Sequence, residues 1–174
     1  MILVPRIQGK VNFTENSVRV SDPCYDSSVW CTLDVPVKPG EYTCVSWRGT
    51  DRYKDKESGK RYSDTRTMII GVYLDGFIPS KDDFEKSEIL GNIGVDAGMA
   101  GFYQNKPDFT RDEWMDFCEV FCRDVKKHCR IDPYGFTSKS GYGDGMYDVR
   151  GYKNADGETI ALEIECCDKV SFYN

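Results

Sequence analysis

Every apolar run in this chain is short, and this feature restricts the possible folds more than any other. The longest runs, such as Met68 to Val72 and Ile160 to Leu162, fall far below the ~20 residues that a membrane-spanning helix needs. The apolar segments instead alternate with polar residues and end at Gly, Pro, Asn or Asp, which is typical of strands. The pattern therefore predicts a β-rich protein with no membrane partner.

Seven segments carry this strand pattern. Residues 6–13 and 18–20 flank a polar turn, which predicts a hairpin. Residues 146–152 and 158–166 also flank a turn, in which Gly157 would supply the positive φ that a tight hairpin needs. The other predicted strands are 41–47, 67–74 and 134–138.

One segment, from about Arg111 to Cys129, has the period of a long helix. Thr110 and Glu113 have the spacing of a capping box, so the helix is predicted to begin after Thr110. Ser80 and Asp83 have the same spacing and predict a short connecting helix. The predicted buried stripe of the long helix consists of Trp114, Phe117, Cys118, Phe121, Cys122 and Val125.

These elements predict an α+β fold that is mostly β, with an antiparallel sheet or sandwich and one long helix packed on it. Hydrophobic residues make up 40% of the 174 residues, which is enough for one packed core. No low-complexity linker divides the chain, so residues 1–174 are predicted to form a single β-rich domain. The first residues lack the pattern of a secretory signal, so we expect a cytoplasmic protein.

Charge is distributed unevenly along the chain. The net charge of −6 argues against binding of duplex nucleic acid. Residues 48–66 are dense in charges of both signs, which predicts a charged hairpin arm exposed to solvent. The alternative is an arm that touches a phosphate-bearing partner through Tyr53, Tyr62 and the neighbouring cations.

The eight cysteines are irregularly spaced, so we expect reduced thiols and not a disulfide framework. A zinc site from Cys118, Cys122 and His128 is the alternative, but no CxxC motif occurs and His128 points away from the cysteine stripe. Asp144 and Asp148 do not make a calcium loop. We therefore expect no metal and no cofactor.

Two stretches, residues 94–101 and 140–147, each place carboxylates among glycines. Small residues allow a ligand to approach the backbone closely, which favours a role as the walls of a site. Neither stretch matches a dinucleotide-binding or P-loop pattern. The alternative is that both are hairpin turns whose Asp side chains bond nearby amides.

Several motifs occur in a recognisable order: Asp22-Pro23, Pro39-Gly40-Glu41-Tyr42, Val95-Asp96-Ala97-Gly98 and the SGYGDGMY block at 140–147. This order resembles an uncharacterised family of bacterial and phage-type proteins with DP, PGxY, VDAG and SGxGDGxY motifs. The resemblance spans roughly Val20 to Cys166 and implies a shared, mostly β fold with a site at the motifs. It implies no particular activity. The acidic position that often follows VDAG in that family is absent here.

Three functions follow from these residues. The first is binding or sequestering of a polar, nucleotide-like and phosphate-bearing small molecule by carboxylates, glycine backbone and tyrosine rings. The second is a hydrolase with Cys24 or Ser140 as nucleophile and an Asp as base. The third is a protein-binding immunity or antagonist module whose acidic charge suits a basic partner. The candidate ligand-binding residues are Asp22, Cys24, Asp96, Gly98, Ser140, Tyr142, Gly143, Asp144 and Tyr147.

Overall fold

A computed structural model describes residues 3–123 and 128–167, most of which lie in antiparallel strands. Two described segments are helical, α1 (Lys81–Lys86) and α2 (Arg111–Arg123). The strands are β1 (Leu3–Phe13), β2 (Ser17–Ser21), β3 (Leu33–Pro36), β4 (Gly40–Lys54), β5 (Arg61–Leu74), β6 (Glu88–Val95), β7 (Met99–Tyr103), β8 (Cys129–Asp132), β9 (Gly135–Lys139), β10 (Gly145–Lys153) and β11 (Thr159–Glu165).

The strands form two sheets. The six-stranded sheet has the order β1-β4-β5-β11-β10-β6, and the five-stranded sheet has the order β3-β2-β7-β9-β8. Both sheets contribute to one core, in which Val20 and Phe102 of the five-stranded sheet pack with Ile70 and Leu162 of the six-stranded sheet. The prediction of a mostly β fold with antiparallel sheets is therefore confirmed.

Two smaller clusters lie on the outer faces of this sandwich. On the six-stranded sheet, Trp47, Tyr73 and Tyr152 pack against Phe84 of α1. On the five-stranded sheet, Met99 packs against Phe117 and Phe121 of α2. The second cluster positions the helix that forms one wall of the cavity described below.

The long hairpin of β4 and β5 contains the charged segment 48–66. The two strands pair from Tyr42 with Leu74 to Lys54 with Arg61. Near its tip the rings of Tyr53 and Tyr62 stack, with centroids 5.4 Å apart. The hairpin of β10 and β11 is also formed, and Gly157 in its turn has a φ of +80°, which confirms the predicted positive φ.

The predicted hairpin of residues 6–13 and 18–20 is wrong. Strand β1 pairs with β4 in one sheet, whereas β2 pairs with β3 and β7 in the other. The turn between them is therefore a corner that joins the two layers. The side chain of Gln104 holds this corner, because it accepts from the amides of Thr14 and Glu15 and donates to the carbonyls of Glu15 and Ser17.

The helix is shorter than predicted. It begins after Thr110, and the capping box between Thr110 and Glu113 is confirmed by hydrogen bonds in both directions. The structure describes it over Arg111–Arg123, and Cys129, which was predicted to lie in the helix, instead begins β8, so one long helix packed on the sheet is not supported. No helix among residues 3–123 and 128–167 is long and apolar enough to cross a membrane.

The predicted buried stripe of α2 is confirmed in part. Phe117 and Phe121 are buried, but Trp114 is 37% exposed, so its assignment to the core is wrong. Cys118 is half-buried. Val125 and the side chain of Cys122 lie outside the residues that the structure describes.

Candidate functional site

A cavity of about 450 Å³ lies between α2 and the outer face of the five-stranded sheet. Ala100 and Phe102 of β7 face the shared core, so Met99 of the same strand faces outward, toward α2. This outward face is one side of the cavity. The cavity is lined by Asp22, Cys24, Tyr25, Asp96, Ala97, Gly98, Met99, Trp114, Cys118, Phe121 and Lys139.

Asp22 holds the two loops that form the polar end of this cavity. Its carboxylate is fully buried and accepts hydrogen bonds from the backbone amides of Cys24 at 2.8 Å, Asp96 at 2.9 Å and Ala97 at 2.7 Å. Burial raises the pKa of Asp22, and the three amide donors oppose this rise. The residue therefore fixes the loop after β2 against the β6–β7 turn.

Neither candidate nucleophile is activated. The Cys24 Sγ atom lies 3.7 Å from the Cys118 Sγ atom, which is the separation of two thiols and not of a disulfide. Burial, together with the negative charge of Asp22, raises the pKa of the Cys24 thiol, so it stays protonated at neutral pH. The Ser140 hydroxyl donates to the carbonyl oxygen of Gly143 at 2.5 Å.

The two glycine-aspartate motifs meet at one corner of the molecule. Strands β6 and β10 pair so that Val95 lies opposite Gly145, which brings the ends of both motifs together. The Ser140 amide donates to the Gly98 carbonyl at 3.0 Å. A Cβ atom on Gly98 would lie 3.9 Å from an Asp144 carboxylate oxygen, so Asp144 stands beside the cavity-lining turn.

Two glycines of residues 140–147, Gly141 and Gly143, have a role in the protein's own structure. A Cβ atom on Gly141 would lie 1.9 Å from the carbonyl oxygen of Thr67 in β5, so the close approach here is to protein backbone. Gly143 has a φ of +85°, a left-handed conformation that favours glycine. The Tyr147 hydroxyl donates to the Gly143 carbonyl at 2.8 Å and closes the turn further.

The predicted site residues divide into two neighbouring groups. Those that line the cavity are Asp22, Cys24, Asp96 and Gly98. Those that form the adjoining turn are Ser140, Tyr142, Gly143, Asp144 and Tyr147. In that turn Tyr147 is buried, whereas Tyr142 is exposed and lies under the guanidinium of Arg66, 4.8 Å from the ring centroid.

Sequence reasoning missed most of the opposite wall. Trp114 and Cys118 were expected to be core residues of α2, but both are partly exposed and line the cavity, and the buried Phe121 lines it as well. Lys139 was also missed, although strand alternation could have indicated it. It directly follows the predicted strand 134–138, and because Phe136 faces the core, a residue three positions later faces outward. Tyr25 lies only three residues after Asp22 and lines the same cavity.

The cavity therefore combines an apolar wall with a polar end. The wall is formed by Met99, Trp114 and Phe121, and the polar end carries the exposed carboxylate of Asp96 and the amine of Lys139. Within residues 3–123 and 128–167, no group of three or more His, Cys, Asp or Glu side chains is arranged to hold a metal ion. The zinc alternative included Cys122, whose side chain lies outside this description.

No family model, no curated protein and no solved structure matches this chain. The resemblance to the family with DP, PGxY, VDAG and SGxGDGxY motifs therefore stays a prediction.

Proposed function

We propose that this protein binds and sequesters a polar small molecule with a planar ring in the cavity between α2 and the five-stranded sheet. The observation that carries the proposal is the combination of an aromatic wall with the exposed carboxylate of Asp96 and the amine of Lys139 in the same cavity, beside the buried Asp22. A volume of about 450 Å³ is typical of pockets for small molecules.

The aromatic wall suits a flat ring. Trp114 is 37% exposed although it lies on the side of α2 that also carries the buried Phe117 and Phe121. Tryptophan offers a large apolar face for stacking, and it is costly to leave such a face in water. A heterocycle between Trp114 and Met99 would cover it.

The polar end limits the charge of the ligand. Asp96 can accept from ring or exocyclic N–H groups, and Lys139 can pair with one anionic group. The carboxylate of Asp144 stands close by and would repel a polyphosphate. The best match is therefore a nucleoside or a nucleoside monophosphate, or a molecule of similar shape and charge.

Binding is a better match than hydrolysis. A Cys or Ser nucleophile needs a lowered pKa or an adjacent base. The Cys24 thiol has the opposite shift, and the Ser140 hydroxyl is engaged by a backbone carbonyl. These contacts support a role of both residues in holding the loops of the site.

The proposal is tested first by denaturing the purified protein and analysing released molecules by mass spectrometry. We expect a nucleoside-like compound. A protein that copurifies in equal amount would instead favour the immunity or antagonist module.

Titration calorimetry with nucleoside monophosphates then tests the site itself. We expect Asp96→Asn and Lys139→Gln each to weaken binding about tenfold, the effect of losing one charge-assisted hydrogen bond. Asp156→Asn, in the exposed β10–β11 turn, is the matched control and should bind as the parent does. Equal affinities in all three variants would contradict the proposed site.

A further inference from the structure

A second cavity, of about 560 Å³, is lined by residues of β1, of the long hairpin of β4 and β5, and of the start of β8. Three basic side chains, Arg6, Arg48 and His128, line it together with Gln8 and Thr65. Its described lining contains no Asp or Glu, although the chain as a whole has a net charge of −6. The cavity is therefore a local positive region in an acidic protein.

Strand register brings the two arginines together. Arg6 of β1 lies opposite Ser46 of β4, and Arg48 lies opposite Val4, so the arginines are diagonal neighbours on one face. Diagonal Cβ atoms in an antiparallel pair are roughly 7 to 8 Å apart. Two guanidinium groups at this spacing can contact one anion from two sides.

The hydrogen bonds of Arg48 in the described part of the chain go to groups that carry no charge. The Arg48 guanidinium donates to the Thr65 carbonyl at 2.8 Å and to the Thr67 hydroxyl at 3.4 Å, which are neutral acceptors. Burial and the positive charge of Arg6 lower the pKa of Arg48. The Asp64 carboxylate lies near enough to oppose this effect, but it is bound by Arg66 at 2.7 Å.

Strand β8 closes the cavity on the side of the five-stranded sheet. The Cys129 thiol donates to the Gln8 side-chain oxygen at 2.8 Å, which joins β8 to β1 at the cavity wall. His128 directly precedes β8 and also lines the cavity. The basic groups thus belong to three separate parts of the chain that the fold brings together.

We propose that this cavity binds the phosphate group of a small phosphate-bearing molecule, with Arg6 and Arg48 as its principal ligands. Guanidinium groups match the geometry of phosphate oxygens and remain charged at every physiological pH. The volume exceeds that of one phosphate and leaves room for the organic part of the molecule. This site is separate from the proposed ring-binding cavity and does not depend on it.

His128 provides a direct probe, because it is the only histidine of the chain. We expect inorganic phosphate and pyrophosphate to shift the NMR signals of its imidazole ring saturably, with tighter binding of pyrophosphate. Chloride at equal ionic strength should not reproduce the saturation. Absence of a saturable shift with both phosphates would overturn the proposal.

Charge variants locate the binding site. Arg6→Gln should weaken phosphate binding about tenfold, because it removes one charged donor from an exposed strand position without opening the core. Arg48→Lys keeps the charge but loses the planar fork, so an intermediate loss is expected. Arg52→Gln is the matched control, since Arg52 is exposed on the same hairpin but does not line the cavity.

Three further outcomes would overturn the proposal. Equal weakening in Arg52→Gln and Arg6→Gln would indicate nonspecific attraction by the hairpin. Loss of the shift in Lys139→Gln but not in Arg6→Gln would place the phosphate in the cavity beside α2. Saturation by a single-stranded oligonucleotide but by neither small phosphate would assign the hairpin to nucleic acid instead.

Discussion

Glu163 departs from the usual pattern of a strand, in which charged side chains lie in solvent, because its carboxyl group is fully buried. It lies in the cluster on the outer face of the six-stranded sheet, where the Tyr73 hydroxyl donates to it at 2.5 Å and the Tyr152 hydroxyl at 2.6 Å. Arg150 is bound by Glu165 at 2.9 Å and does not neutralise Glu163 directly. Burial raises the pKa of Glu163 to about 7, despite the two tyrosine donors.

This raised pKa predicts a stability that falls with rising pH. The native protein keeps the Glu163 proton up to about pH 7, whereas the unfolded chain loses it near 4.5. The free energy of unfolding should therefore decrease as the pH rises from 4.5 to about 7. The total decrease should be roughly 3 kcal/mol, because each unit of pKa difference corresponds to about 1.36 kcal/mol. Denaturant unfolding at a series of pH values measures the slope.

In Glu163→Gln this slope should be much smaller, since glutamine has nearly the shape of the neutral acid and cannot ionise. Glu57→Gln, at the exposed tip of the long hairpin, should keep the slope of the parent. An unchanged slope in Glu163→Gln would show that another group titrates in this window.

At the scale of the element, the turn of residues 140–147 shows why a motif rich in glycine need not be a ligand loop. Its tightest position is Gly141, which packs against the Thr67 carbonyl of β5. Arg66 of the same strand covers Tyr142 and donates to the Gly141 carbonyl at 3.4 Å. The turn is thus attached to the long hairpin, and it supports the cavity from outside.

Two alanine substitutions separate close packing from backbone conformation in this turn. Gly141→Ala should destabilise the protein by about 2 to 3 kcal/mol, because its Cβ atom would overlap a backbone oxygen that cannot move freely. Gly143→Ala meets no atom within 4 Å and should cost only about 1 kcal/mol, for its left-handed φ. Thermal and denaturant unfolding compare the two, and an equal or reversed order would contradict the packing explanation.

At the scale of the whole molecule, polar and reactive groups are distributed around one shared core. Cys44 and Cys166 are fully buried in that core, and burial raises the pKa of each thiol to about 12. Cys24 and Cys118 lie in the separate cluster under α2. These four cysteines thus pack in different layers, and none of the seven cysteines whose side chains are described forms a disulfide.

Thiol titration tests this distribution. In denaturant without reductant we expect all eight cysteines of the chain to react. In the native protein Cys44 and Cys166 should stay unreactive, because they are inaccessible and protonated. Fewer than eight reactive groups in denaturant would reveal a disulfide, and one zinc per chain by elemental analysis would revive the zinc alternative.

Local patterns in the sequence were enough to identify much of the secondary structure. The cap at Thr110, the hairpin turn with Gly157 and the strands within β4, β5 and β9 to β11 depend on neighbouring residues, so alternation and turn chemistry predict them. Strands β3, β6, β7 and β8 were missed. Strands β3 and β8 have only four residues each, which is too few for a period to be detected, and glycines interrupt the alternation in β6 and β7.

Contacts between distant segments lay beyond such patterns, because only the folded chain creates them. The contacts of Gln104 hold residues 14–17 as a corner between the two sheets, where the local sequence predicts a hairpin. Residues of α2 whose spacing predicts a core stripe instead form one wall of the cavity. Strand alternation places Glu163 on the face opposite Leu162, but the burial of that face depends on α1 and the neighbouring strands. Likewise, Asp96 and Asp144 became neighbours through the pairing of β6 with β10, which no local preference specifies.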